Sequence, residues 1–262
     1  MAQWTVQDPQ RIQLDGEVDR IDVNLVMGKI SIVGVPGAAR MEVKSVGKKP
    51  VDVVHDGRRL KISHGWRKRW PFYWWLFHRQ YNCEITVAVP PEVVASVTVV
   101  SGRVSVAGLL TSTDVDVTSG RVSLLGLAGR TQAKLVSGPV EALGVAGELV
   151  MEAVSGSLTL AQSGADRVQA TTVSGSITCD LDSTTPADVR LNTTSGSITI
   201  RIPAEADLDV RLDTTAGSIT TVFPLDRQGK HWAGSARGRL GTGSGRLSAT
   251  TTSGSIALLA GE

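Results

Sequence analysis

Short runs rich in Val, Ile, Leu and Thr alternate apolar with polar along most of the chain, and many such runs meet their successors at a Ser-Gly pair. Val115 and Val117 precede Ser119-Gly120, while Val122 and Leu124 follow it. Alternation at period two predicts strands, not helices. The apolar phase slips between Val117 and Val122, so the chain must bend at Ser-Gly. Glycine permits a bend that a Cβ would obstruct. Eight Ser-Gly or Ala-Gly corners begin at Ser101, Ser119, Ser137, Ser155, Ser174, Ser195, Ala216 and Ser253, spaced 18, 18, 18, 19, 21, 21 and 37 residues apart. A fixed period of this kind marks a repeat architecture.

Aligned units place like residues above one another: Val104, Val122 and Val140 in one column, Leu109, Leu127 and Val145 in a second, Val115, Ala133 and Met151 in a third. Coils stacked ~4.8 Å apart turn such columns into a continuous core. The predicted class is all-β, a parallel β-solenoid. A propeller blade needs more residues than one period supplies. Gly28 to Gly34 repeats the corner-and-strand pattern, and Val51 to Ile62 reads as two strands joined by an Asp-Gly turn. Residues 1–63 are therefore expected as irregular N-terminal coils, 64–82 as an insertion, and 83–262 as a regular stack interrupted near 221–245, all in one continuous domain.

The Ser-Gly-Ser-Ile-Thr units at 174–178 and 195–199, with Thr-Thr-Ser-Gly-Ser-Ile at 251–256, resemble the bacterial β-strand-repeat "putative adhesin" family of unknown function, also called the toastrack domain. The resemblance covers about 18–259. It implies a right-handed β-solenoid with scaffolding or envelope-stress roles near the membrane, and it brings no catalytic residues with it.

Composition narrows the chemistry. The chain has 262 residues, a formal charge of +2 and two cysteines, Cys83 and Cys179. Neither cysteine has metal-type neighbours, and the pair makes no disulfide framework. Met1 to Pro9 lacks a basic and apolar leader pattern, and no apolar run approaches the ~20 residues of a membrane helix. The expected location is cytoplasmic, peripheral at the inner face of the membrane. His55, His64, His78 and His231 form no metal-binding spacing. The serines sit at repeated corners, which points to turn hydrogen bonding and away from a nucleophile. Gly241-Thr242-Gly243-Ser244-Gly245 imitates a phosphate cradle, yet a strand follows it where such a cradle needs a helix. It reads as a turn returning an insertion to the stack. No enzyme, cofactor or metal is expected.

The departure from the repeat is the informative part. Gly57 to Cys83 contains no acid, seven basic residues (Arg58, Arg59, Lys61, Arg67, Lys68, Arg69, Arg79) and eight of the chain's eleven aromatics. Pro71 predicts a short helix running to about Arg79. Two readings stand. The rings cap an open end or side of the stack, or they anchor at a membrane interface with the basic residues on anionic lipid. In the second reading Trp66, Trp70, Trp74, Trp75 and Phe77 are the anchors, and Arg67, Lys68 and Arg69 contact anions. Nucleic acid ranks lower, because the basic and aromatic residues are not interleaved on strands.

The second insertion, near Phe223 to Arg246, reads as a solvated hairpin. The last strand, Ser255 to Leu259, has no visible cap, which predicts end-to-end self-association. The functional expectation is a non-catalytic scaffold or docking module in envelope-stress physiology, touching an anionic membrane surface or a membrane protein through 64–82. A polymer-forming structural solenoid is the alternative. A carbohydrate- or phosphate-processing enzyme using Asp114 and Asp116 ranks last.

Overall fold

A computed structural model describes residues 2–14, 16–64, 81–182, 188–230 and 233–261. Among them every regular element is a strand. Residues 1–129 and 130–262 form two compact units.

The first unit contains β1 (Ala2–Val6), β2 (Gln10–Gln13), β3 (Arg20–Gly34), β4 (Arg40–Val46), β5 (Val51–Asp56), β6 (Arg59–His64), β7 (Cys83–Val89), β8 (Val94–Ala107) and β9 (Thr113–Leu125). Strands β3, β8 and β9 lie parallel and in register, each running through its corner. Met27 aligns with Ser101 and Ser119, and Gly28 with Gly102 and Gly120. The predicted column holds here, because Val104 sits opposite Val122 and both are fully buried. On the other side of β3, β6 stacks on its first half and β7 on its second. The expected hairpin over 51–62 is β5–β6, and antiparallel β1, β2 and β4 complete the unit.

The second unit contains β10 (Arg130–Ser137), β11 (Val140–Leu143), β12 (Ala146–Ser155), β13 (Leu158–Ser174), β14 (Ile177–Leu181), β15 (Asp188–Ser195), β16 (Ile198–Ile202), β17 (Leu208–Ala216), β18 (Ile219–Thr221), β19 (Asp226–Lys230), β20 (Ala233–Leu240), β21 (Gly245–Ser253) and β22 (Ile256–Ala260). Before the corner the neighbours run β10, β12, β13, β15, β21, β17, all parallel. After the corner they run β11, β13, β14, β16, β22, β18. The coil 245–260 therefore lies between 188–202 and 208–221, out of chain order.

That order corrects the expectation of a bare last strand. β22 is paired with β16 on one side and with β18 on the other. The 221–245 segment is also more than a solvated hairpin. β19 and β20 pair antiparallel, and β20 then lies along β17 with Ala236 and Leu240 buried. The β18 edge is short, and Arg227 Nη2 donates to the Thr221 carbonyl at 3.3 Å.

In one core file, side-chain volume fits the inner placement of the coil. One buried file runs Ala133, Met151, Ala170, Leu191, Ala249, Leu212, alternating small with large. Chain order would stack Leu191 on Leu212 and leave Ala249 outside. Alternating sizes let layers interdigitate without voids or strain.

The corners impose a second constraint. A Cβ on Gly156 would lie 1.9 Å from the carbonyl oxygen of Gly138, and one on Gly217 1.9 Å from that of Gly254. Gly196 has φ +157 and Gly254 φ +153, so backbone preference and contact agree there. The hydroxyls that pin one coil to the next belong to threonines two residues before the corner serine or alanine. Thr193 donates to the Gly175 carbonyl (3.2 Å), Thr251 to Gly196 (3.1 Å) and Thr214 to Gly254 (2.9 Å). Of the corner serines assigned that role from sequence, Ser119, Ser137, Ser155, Ser174, Ser195 and Ser253 are exposed and Ser101 is half-buried.

Gly156→Ala is expected to cost roughly 1–3 kcal/mol or more by overpacking, whereas Gly164→Ala, whose Cβ meets nothing within 4 Å, should leave the unfolding free energy from urea titration within about 0.5 kcal/mol of wild type. A second measurement checks the coil order. Ala249→Leu overfills its layer and Leu191→Ala empties it, so the double variant should lose less stability than the two singles added together. Strict additivity, as for residues not in contact, would contradict the placement of 245–260.

Candidate functional site

Trp66, Arg67, Lys68, Arg69, Trp70, Trp74, Trp75 and Phe77, with the helix predicted from Pro71, lie outside the described residues, as do His231 and Trp232. The structure instead defines where that segment departs and returns. Asn24 pairs with Ser63 and Lys29 with Glu84. His64 and Cys83 thus flank the level at which β3 turns its own corner at Met27-Gly28. In the sequence, the segment 65–82 connects two strands where other coils carry a Ser-Gly pair.

Its two roots are dry. His64 is 2% exposed; its Nδ1 accepts the Val26 N–H at 3.3 Å, and its ring meets the Tyr81 ring edge-on at 5.5 Å. Burial lowers its pKa to about 4, with Asp52 opposing. Cys83 is equally enclosed, its Sγ directed at the Met27 carbonyl at 3.6 Å. A Cβ on Gly28 would fall 2.2 Å from the Cys83 carbonyl oxygen, so the root is clamped against the corner below. Burial pushes the Cys83 thiol up to about 12, and burial does the same to Cys179. Such thiols stay protonated and are poor nucleophiles.

Electrostatics at the root change the charge reading. Burial raises the Asp22 carboxyl, but hydrogen bonds from Arg59 and from Arg20 (3.1 Å) outweigh it and hold the group below its ordinary value. Arg58 reaches Asp19 at 2.8 Å and Glu17 at 3.0 Å. Two of the seven basic residues are therefore matched by acids on neighbouring segments, a pairing the local acid-free run concealed. Lys61 is exposed on β6. Asp114 and Asp116 stand on β9 opposite Ser96 and Thr98 of β8, which supply no second carboxylate.

The Gly241–Gly245 turn does cradle an anion, and the anion is the chain's own Asp207. Its Oδ1 accepts from the backbone N–H of Gly243 (2.5 Å) and Ser244 (3.4 Å). Its Oδ2 accepts from the hydroxyls of Thr242 (2.8 Å) and Ser244 (2.6 Å). The Ser244 and Thr242 hydroxyls, then the backbone donors, hold the carboxyl well below the usual range. The segment is the returning turn expected from the sequence, which gave no sign that the turn's donors close on Asp207. Among the described residues no group of His, Cys, Asp and Glu is arranged to hold a metal ion.

The family profile described as Toastrack DUF4097 matches residues 18–259. Among solved structures, similarity is found to a "putative adhesin" of Bacteroides fragilis at 15% identity, covering 99% of this chain and 97% of that one with a TM-score of 0.42. A "putative cell adhesion protein" of Clostridium sporogenes shows 11% identity over 97% of this chain and 100% of that one, with a TM-score of 0.29. No curated protein matches the chain.

His64 makes acid stability a test of the root. Its folded pKa lies below the ordinary 6.5, so the unfolded chain takes the proton first as pH falls. The stabilisation is complete above about pH 6.5 and is lost progressively towards pH 4, by roughly 2 kcal/mol at pH 5. Urea unfolding of wild type and His64→Leu at pH 7 and pH 5 should show a steeper loss in wild type. Parallel losses would mean that His64 is not buried in its neutral form.

Proposed function

The chain belongs to the Toastrack DUF4097 family, and on that premise we propose that it is a right-handed parallel β-solenoid serving as a non-catalytic docking module in envelope-stress physiology. The segment 64–82 is its contact with the inner, anionic face of the membrane or with a membrane protein there. The carrying observation is positional. An acid-free run holding Arg67-Lys68-Arg69 and most of the chain's aromatics springs from a corner whose two ends, His64 and Cys83, are buried and clamped. A rigid root lets aromatic rings enter an interface without the loss of order that a free tail would suffer.

The fold supports the scaffold part of the reading. Parallel in-register coils with buried aliphatic files make a stiff body. Shielded thiols, with Asp22 committed to arginines and Asp207 to the turn, provide the described residues with no activated nucleophile. Pairing of Arg58 and Arg59 with acids leaves the triplet at 67–69 as the main source of attraction to anionic lipid.

Co-sedimentation with phosphatidylserine-containing vesicles and with neutral vesicles tests this. Binding should be confined to the anionic vesicles and should weaken with salt. At about 1 kcal/mol per basic residue, Arg67→Ala/Lys68→Ala/Arg69→Ala should lower affinity by roughly two orders of magnitude, and Trp74→Ala/Trp75→Ala should also release the protein. Negligible binding to both vesicle types would remove the lipid contact. A fall in melting temperature without a change in binding would show that Trp74 and Trp75 cap the fold.

A further inference from the structure

The coil 245–260 fills a slot between two coils that precede it in the chain. Its fit is specific at three levels. Ala249, fully buried, lies between Leu191 and Leu212, a small residue between two large ones. The backbone is tied on both sides: Gly196 N donates to Ser253 O and Gly254 N to Ala216 O, each at 2.9 Å. Threonines lock the register, with Thr251 bound to the Gly196 carbonyl and Thr214 to that of Gly254.

The route into the slot is equally particular. β20 and β21 flank the same strand, β17, one antiparallel and one parallel. The chain must therefore step over the start of β17, and it does so through Gly241-Thr242-Gly243-Ser244. Asp207 immediately precedes β17 and holds that crossing with its four carboxylate hydrogen bonds, while Gly245 N donates to the Asp207 carbonyl at 3.0 Å. Two glycines, Gly241 and Gly243, make the crossing a hinge, and one carboxylate keeps it folded back.

From this geometry we infer that the coil 245–260 is exchangeable between two copies of this chain, and that the Asp207 clasp is the latch. An exchanged coil makes the same hydrogen bonds and fills the same layer in its partner's slot, so the two forms differ in the hinge and in protein concentration. Only a segment presenting a small residue between two leucines, followed by Thr-x-Ser-Gly at the corner, satisfies the slot. A second copy of the same coil does so by construction. The inference is independent of the membrane reading.

Chains carrying one added cysteine each test it. Asn192 and Thr250 are exposed, stand directly opposite each other, and belong to the slot wall and the coil. Native Cys83 and Cys179 are buried. One full-length chain carries Asn192→Cys and the other Thr250→Cys; circular dichroism and melting confirm that both fold. After joint refolding and mild oxidation, a covalent heterodimer should exceed that formed by the out-of-register pair Asn192→Cys and Arg246→Cys. With Asp207→Ala in both chains the excess should rise by about threefold or more, the scale of exposed charged contacts. A heterodimer yield equal to the out-of-register pair would overturn exchange. Equal yields with and without Asp207 would overturn the latch.

Discussion

Within the second unit, the backbones of adjacent coils touch at the corner glycines. At Gly156, Gly175, Gly196, Gly254 and Gly217 a Cβ would fall 1.9–2.0 Å from the carbonyl oxygen of the glycine in the neighbouring coil. Removing every side chain from that file lets the half-strands on both sides of the bend keep parallel register with their neighbours. It also brings a threonine hydroxyl within reach of the next coil's glycine carbonyl at three corners. Register, and therefore which aliphatic side chains face inward, follows from this contact. A slip by one residue would turn the inward set outward.

A periodic corner fixes the shape of a coil but is indifferent to the order in which coils stack. Thr193 to Ile198 and Thr251 to Ile256 are the same hexapeptide, so corner chemistry does not distinguish their levels. Side-chain volume distinguishes them in one core file. Ala249 relieves the meeting of Leu191 and Leu212, and the hairpin β19–β20 then closes along β17. The insertion at 221–245 is thus the connection that makes the threaded order possible, since it carries the chain outward past β17 and back over it.

Most of the architecture was legible in the residues. Val115 and Val117 with Val122 and Leu124 predicted strands bent at Ser119-Gly120, and β9 runs through that point. The stacking of Val104 on Val122 followed from period alone. The coil order was not legible in this way, because period carries no information about level; the small-large alternation through Ala133, Met151, Ala170, Leu191, Ala249 and Leu212 was the available signal. At the candidate site, the acid-free stretch was plain, but its partners were not. Asp19 and Asp22 belong to an earlier segment of the chain and reach Arg58 and Arg59 only after β6 stacks on β3.

The same logic bears on how an edge-rich protein stays apart from its neighbours. Open strand edges invite pairing, and short edges or edge charges discourage it. Here β18 is three residues long with an arginine on its terminal carbonyl, and the outer side of β17 is taken by β20. The strands β21 and β22 are paired on both sides. Enclosure places their backbone where a neighbour reaches it only by opening the hinge that Asp207 holds. For this coil, exchange is then governed by one carboxylate and the glycines Gly241 and Gly243 of the crossing, and not by an exposed edge.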